Sequence, residues 1–95
     1  MKTIAINSEL ELDFPTASNM AQTIVETIQG GSSCLSWYDK IRDHENPAHV
    51  SECHDACEIP GYLDYASNRG AEIKVDFNNG TFVFCFRSTA DFDES

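Results

Sequence analysis

Basic residues are scarce in this chain. Its 95 residues include only six lysines and arginines against sixteen aspartates and glutamates, which gives a formal net charge of −10 at pH 7. Such a charge repels phosphate backbones and anionic lipid head groups. We therefore expect no nucleic-acid partner and no binding at a membrane surface, whereas a basic protein partner is compatible with the charge.

Long apolar runs are also missing, and the first residues do not predict an export signal. The longest apolar run, residues 82–86, falls far short of the roughly 20 residues that a membrane-spanning helix needs. After Lys2, only residues 4–6 are apolar before the chain turns polar, so no secretory signal peptide is readable. Without such a signal, we expect the four cysteines to be reduced thiols and the protein to be cytoplasmic.

The length and the apolar content fit one small domain. With 41% hydrophobic residues, the chain can bury a modest core. We expect this single domain to cover residues 1–88. Residues 89–95 are then an acidic C-terminal tail, which we expect to fray.

Apolar and polar residues alternate at the start of the chain. The large apolar side chains fall at even positions: Ile4, Ile6, Leu10, Leu12 and Phe14. A period of two is typical of a strand with one buried face. The pattern therefore predicts one long strand over residues 4–14.

Residues 15–29 carry the signals of a helix. Pro15 fits the first turn, and Asp13 or Thr16 can cap the N-terminus. Gly30-Gly31 ends the helix. The apolar residues that recur at helical spacing, and so predict its buried stripe, are Ala17, Met20, Ala21, Ile24 and Ile28.

The middle of the chain has weaker periodicity. Residues 33–39 predict a short strand, and the polar residues 39–46 predict a loop. Asn46-Pro47 is a good helix start, and this second helix is expected to run to about residue 58. A further helical stretch then ends at Gly70, which can adopt the left-handed terminal conformation.

The clearest element is a hairpin near the C-terminus. Asn79-Gly80 lies between two apolar segments and supplies the positive φ values of a type I′ turn. This turn predicts three cross-strand pairs on one face of the hairpin: Phe77 with Phe82, Val75 with Phe84, and Ile73 with Phe86.

Together these elements predict an α+β fold in the order β-α-β-α-β-β. Helices packed on one face of a four-stranded mixed sheet, in a two-layer sandwich, would cover all the apolar stripes at once. Val83 and Cys85 would then lie on the other face, which the helices leave open. Apolar surface at that position predicts a possible homodimer.

The last third of the chain resembles a known family. The stretch "IPGYLDYASNRGAEIKVDFNNGTFVFCFR" at residues 59–87, with the strand and helix between Leu10 and Gly31, is similar to the small TusA/SirA-like sulfur carriers. The resemblance implies their fold. Those carriers hold persulfide sulfur on the cysteine of a Cys-Pro-x-Pro motif at the start of the first helix. Here that position reads "LDFPTAS", with Pro15 but no cysteine, so the carrier residue does not transfer.

The stretch "AHVSECHDAC", residues 48–57, places two cysteines and two histidines on the predicted second helix. At about 100° per residue, Val50, Cys53 and Cys57 share one arc of the helix, with the histidines beside them. Because free cysteine behaves as a small hydrophobic residue, this arc predicts a face that packs on the sheet. A metal site and a reactive thiol pair are the alternatives.

Both chemical alternatives meet physical difficulties. The candidate metal ligands are Cys53, Cys57, His49 and His54, but zinc ligand atoms lie within roughly 2.3 Å of the ion, and the ladder from residue 49 to 57 is too long for that. Only a pair could bind, completed by Cys34 or His44. A thiolate at Cys57 would face the helix C-terminus and nearby acids, which disfavour it.

The sequence therefore predicts a small acidic protein that acts by association and is not an enzyme. It contains no catalytic signature, and we expect no catalytic residues and no resident cofactor. The alternative function is a sulfur relay or a metal-binding protein, with zinc as the candidate metal, that uses Cys53 and Cys57.

Overall fold

The computed structural model describes residues 1–46 and 61–89. In that part of the chain, two helices pack on a five-stranded sheet. The elements are β1 (Lys2–Ile6), α1 (Phe14–Gln29), β2 (Ser32–Asp39), β3 (His44–Asn46), α2 (Gly61–Asn68), β4 (Ile73–Phe77) and β5 (Phe82–Ser88). The strand order is β1-β4-β5-β2-β3. β1 pairs with β4 in parallel and the other neighbours are antiparallel, which confirms the α+β class and the mixed sheet.

The first strand is shorter than its sequence pattern suggested. β1 ends at Ile6, where the carbonyl oxygen accepts a hydrogen bond from the N–H of Asn78 at 2.8 Å. The Asn78 side chain then accepts the N–H of Ser8 at 2.7 Å, which turns the chain away from the sheet. The prediction of one strand over residues 4–14 is therefore wrong. Leu12 and Phe14 still pack on the core, but from the loop and from the first turn of α1.

Helix α1 forms as its terminal signals predicted. Asp13 is the N-cap, and its carboxylate accepts the N–H of Thr16 at 2.9 Å. Gly30 ends the helix with a φ of 84°. The residues with no exposed surface are Ala17, Ala21 and Val25, whereas Ile28 is 60% exposed. The buried stripe thus follows a spacing of four along one side of the helix, and the prediction that Ile28 belongs to it is wrong.

A fifth strand lies where the sequence predicted a loop. β3 pairs with the end of β2, with Asp39 opposite His44 and Trp37 opposite Asn46. Asp43, with a φ of 53°, lies in the turn between the two strands. An edge strand of polar residues leaves no hydrophobic alternation in the sequence, so periodicity cannot reveal it.

The predicted register of the C-terminal hairpin is confirmed. The observed pairs include all three expected ones: Phe77 with Phe82, Val75 with Phe84, and Ile73 with Phe86. The turn differs in detail, because Asn78 shares the positive φ of Asn79 and Gly80. The N–H of Thr81 bonds to the carbonyl oxygen of Phe77 at 2.9 Å, so the turn is wider than a two-residue type I′ turn.

The two helices lie on opposite faces of the sheet, so the expected two-layer arrangement is extended by a third layer. α1 packs against the face that carries the hairpin phenylalanines, whereas α2 packs with Tyr62 and Ala66 against Val83 and Cys85. Val83 is 3% exposed and Cys85 is fully buried. The apolar surface that suggested a homodimer is therefore covered within one chain. Residues 82–86 are apolar on both sides of β5, and such a strand needs cover on both faces.

Some expectations concern parts of the chain outside the described residues. These are the second predicted helix with Cys53, Cys57, His49 and His54, and most of the acidic tail. Within residues 1–46 and 61–89, no helix is both long and apolar enough to cross a membrane.

Candidate functional site

A wide groove opens at the end of the sheet where α1 begins. Its walls are the β1–α1 loop (residues 8–12), the start of α1 (13–16), the β2–β3 turn and the β4–β5 turn. The groove has a volume of about 1010 Å³. Elements that are distant in sequence meet here, and we refer to this feature as the α1 groove.

Asp39, the last residue of β2, is a buried carboxylate in the α1 groove. The residue is 1% exposed, and its Oδ2 accepts a hydrogen bond from Nε of Arg42 at 2.7 Å. Its Oδ1 accepts the backbone N–H of Arg42 at 3.2 Å. The Arg42 side chain is 55% exposed, so this ion pair joins a buried anion to a cation at the surface.

An aromatic ring forms a second part of the same site. The Arg42 guanidinium lies over the ring of Phe14, 5.4 Å from its centroid. Phe14 in turn packs against Trp37 at a centroid distance of 4.6 Å and against Phe84 at 5.5 Å. The ring is therefore held by the hydrophobic core and presents a fixed face to a cation.

The mouth of the groove combines negative charge with exposed apolar side chains. Glu9, Glu11 and Asp13 line the groove together with Asp39, so its lining holds four carboxylates and the single guanidinium of Arg42. Hydrogen bonds from Thr16 lower the pKa of Asp13 below its usual value, so this carboxylate stays ionised at neutral pH.

Two apolar residues stand at the same mouth. Leu10 is 75% exposed and Ile41 is 70% exposed, and both line the α1 groove. The other large hydrophobic residues of comparable exposure in the described chain, Met1 and Ile28, lie elsewhere. Apolar surface is thus concentrated beside the carboxylates.

A carboxylate, that of Asp13, lies at the start of α1. Asp13 caps α1 and takes the N–H of Thr16, while its carbonyl oxygen takes the N–H of Ala17 at 3.0 Å. Pro15 has no N–H. The N–H groups of Thr16 and Ala17 in the first turn of α1 are therefore already bonded to Asp13, whose carboxylate is negatively charged. This helix end is unsuited to bind an anion or to stabilise a thiolate.

The two cysteines in the described ranges lie on the sheet and are poorly activated. Burial, with a smaller contribution from the neighbouring Cys85, raises the pKa of the Cys34 thiol to about 11. Burial also raises the pKa of Cys85. Both thiols are protonated at neutral pH and are weak nucleophiles.

The described residues contain no group of three or more histidine, cysteine or acidic side chains placed to hold a metal ion. The sequence offered Cys34 and His44 as additional zinc ligands. Cys34 lies near the start of β2, whereas His44, on β3, pairs with Asp39 at the end of β2. The two side chains therefore belong to opposite ends of this strand. The four primary candidates, Cys53, Cys57, His49 and His54, lie outside the described residues.

No sequence motif singles out Phe14, Asp39 or Arg42. The one local signal is the spacing of three between Asp39 and Arg42, which brings an acid and a base together across a tight turn. Phe14, at the start of α1, is distant in sequence from Asp39 and Arg42. Its contact with Arg42 therefore depends on the tertiary fold.

The comparisons with known proteins agree with this architecture. A family described as "Domain of unknown function (DUF5619)" matches residues 1–86. The chain belongs to the DUF5619 family. This DUF5619 chain is similar in structure to protein AF1514 from Archeoglobus fulgidus DSM 4304, whose crystal structure was described as that of a novel protein. The TM-score is 0.72 with 31% sequence identity, over 93% of this chain and 94% of the archaeal one.

No curated protein matches the sequence. The DUF5619 description assigns no activity, and neither match is described as a sulfur carrier. The function of this DUF5619 domain must therefore be inferred from its own residues.

Proposed function

We propose that this DUF5619 domain is a non-catalytic association module that binds a basic, partly apolar segment of another protein in the α1 groove. The observation that carries the proposal is the arrangement at the groove mouth. There, Leu10 and Ile41 expose apolar surface beside Glu9 and Glu11.

Each part of this surface has a physical role in binding. Exposed apolar side chains gain free energy when a partner removes them from water. Carboxylates around them favour lysine and arginine, repel acidic segments, and speed association at low ionic strength. A segment that alternates basic and apolar side chains matches both features.

The test is a binding titration of the full chain. The probe is a short synthetic peptide that alternates arginine and leucine, labelled for fluorescence anisotropy, with an alternating glutamate–leucine peptide as the negative probe. We expect the basic peptide to bind, and its affinity to fall as salt is added. The variant Leu10→Ser/Ile41→Ser should weaken binding by about tenfold or more, as expected for the loss of two central apolar contacts.

The matched control is Ile28→Ser, which removes an apolar residue of comparable exposure (60%) at the far end of α1. It should leave the affinity unchanged. Equal binding of both peptides, or an equal loss in the control variant, would contradict the proposed location. No binding of the basic peptide would contradict the proposed function itself.

A second candidate is sulfur-relay or metal chemistry at Cys53 and Cys57. It is favoured by the clustering of cysteine and histidine at residues 48–57 and by the resemblance to sulfur carriers. Metal analysis of the untagged protein by mass spectrometry, with thiol titration in the native and the denatured state, tests it. Stoichiometric metal or fast native labelling of these two thiols would support it, and their absence would remove it.

A further inference from the structure

The two members of the ion pair in the α1 groove differ widely in solvent exposure. Asp39 is 1% exposed, whereas the side chain of Arg42 is 55% exposed on a short turn. Within residues 1–46 and 61–89, both hydrogen bonds that the Asp39 carboxylate accepts come from this one residue. A buried carboxylate is thus neutralised by a side chain that enters from the solvent side.

Arg42 uses little of its own hydrogen-bonding capacity in this contact. Only Nε donates to Asp39, and within residues 1–46 and 61–89 neither Nη group donates a hydrogen bond. A guanidinium that approaches a carboxylate freely can donate two parallel bonds. The internal contact is therefore weaker than the one that a separate arginine could make.

Phe14 completes a cation site around the carboxylate. Its ring faces the guanidinium at 5.4 Å, and Trp37 and Phe84 hold the ring in place. A buried carboxylate beside a fixed aromatic face suits a planar guanidinium better than a compact, strongly hydrated ammonium.

We propose that Asp39 and Phe14 form a guanidinium subsite that Arg42 fills in the free protein, and that an arginine of the bound partner replaces it. This inference rests on the proposed function of the α1 groove and specifies one residue of the partner. Arg42 then acts as an internal competitor, which lowers the affinity for the partner by the fraction of time that it occupies the subsite.

The first test uses the wild-type chain. An arginine–leucine peptide should bind about tenfold more tightly than the matched lysine–leucine peptide, because bidentate and stacked contacts are specific to arginine. In side-chain NMR spectra, the Nε–H signal of Arg42 should shift when the arginine peptide binds. Equal affinities together with an unchanged Nε–H signal would overturn the subsite while leaving the proposed function intact.

The second test removes the internal competitor. Arg42→Ala should bind the arginine peptide about fivefold or more tightly than wild type, as expected when a competing occupant is removed. Lys40→Ala is the matched control, because it deletes the same charge from an exposed position of the same turn. An equal gain in Lys40→Ala would show that only net charge matters and would overturn the proposal.

The third test does not depend on any partner. Methylguanidinium should raise the melting temperature of Arg42→Ala in a saturable way and leave wild type unaffected, since its subsite is filled. The double variant Asp39→Asn/Arg42→Ala should not respond. No response in Arg42→Ala, or the same response in the double variant, would overturn the subsite. If this rescue succeeds but neither basic peptide binds, the subsite stands and the proposed function fails.

If Arg42→Ala does not fold, Arg42→Gln serves in both measurements, because it keeps much of the side chain and removes the charge. The peptide preference and the NMR signal of the wild-type chain decide the question in either case.

Discussion

The two faces of the sheet are held by different kinds of contact. On the α1 face, Ala17, Ala21 and Val25 pack without exposure against a wall of buried apolar residues from β4 and β5. On the α2 face, among the residues that the structure describes, Tyr62 and Ala66 pack against a smaller set in which polar groups take part. The first face depends on apolar area, and the second depends on a few directed contacts.

The polar contacts on the α2 face are specific. The hydroxyl of Ser36 donates to the carbonyl oxygen of Tyr62 at 2.8 Å, and Ser36 is 1% exposed. The rings of Tyr38 and Tyr62 stack with centroids 5.3 Å apart and planes 9° apart. Burial raises the pKa of Tyr62, so its phenol stays protonated well above neutral pH. This comparison predicts that losses on the α1 face cost more stability than losses on the α2 face.

The largest expected effect is on the α1 face. Phe84→Ala removes a ring that is 1% exposed. The centroid of this ring lies 5.5 Å from that of Phe14 and 5.9 Å from that of Phe77. The lost transfer free energy and the cavity should lower the free energy of unfolding by about 3–5 kcal/mol, measured by urea denaturation. Ile28→Ala, at a 60% exposed position of α1, should change it by less than about 0.5 kcal/mol. Similar losses in the two variants would refute the assignment of the main core.

An intermediate effect is expected on the α2 face. Ser36→Ala removes a buried hydroxyl that donates to the Tyr62 carbonyl, and the loss of one such hydrogen bond costs about 0.5–1.5 kcal/mol. The control is Ser33→Ala, at an exposed position of the same strand. Urea denaturation of both variants measures the difference. If Ser36→Ala were as harmful as Phe84→Ala, the contrast between the two faces would be lost.

The smallest effect is confined to alkaline pH. Burial raises the pKa of Cys34 from 9.0 to about 11, so the folded state holds this proton more tightly than the unfolded state. The contribution of the protonated Cys34 thiol to the free energy of unfolding is fully present below about pH 9. It is lost as the pH rises through about 11. Because the residue as a whole is exposed, we expect a smaller loss than full burial would give.

The variant Cys34→Ser isolates this contribution. Its unfolding midpoint in urea should fall less than that of wild type between pH 8 and pH 10.5, and the two proteins should show the same slope around pH 7. Identical profiles over the whole range would show that the Cys34 thiol is as well solvated in the folded state as in the unfolded one.

Local signals predicted the elements whose ends are set by neighbouring residues. Asp13 and Gly30 delimit α1, and Asn79-Gly80 sets the hairpin register, because caps and turns act within a few residues. Gly70 likewise follows α2, with a φ of 85°. These features depend on the backbone preferences of single residues.

Contacts between distant segments explain what the sequence did not predict. β1 stops at Ile6 because Asn78 meets it there, and β3 exists because β2 offers it an edge. The same holds for the α1 groove, where Phe14, Asp39 and Arg42 meet only after the sheet and α1 have assembled. Alternation in residues 8–14 resembled a strand, although Leu12 and Phe14 reach the core from a loop and a helix start.

The burial of residues 82–86 on both sides has a consequence for how the chain reaches its native state. A bare segment of this composition is prone to associate with copies of itself. Every described element that covers β5, namely α1, β2, α2 and β4, precedes it in the chain. This apolar segment is therefore synthesised after the described elements that cover it, and β4, only a short turn away, can pair with one of its edges first.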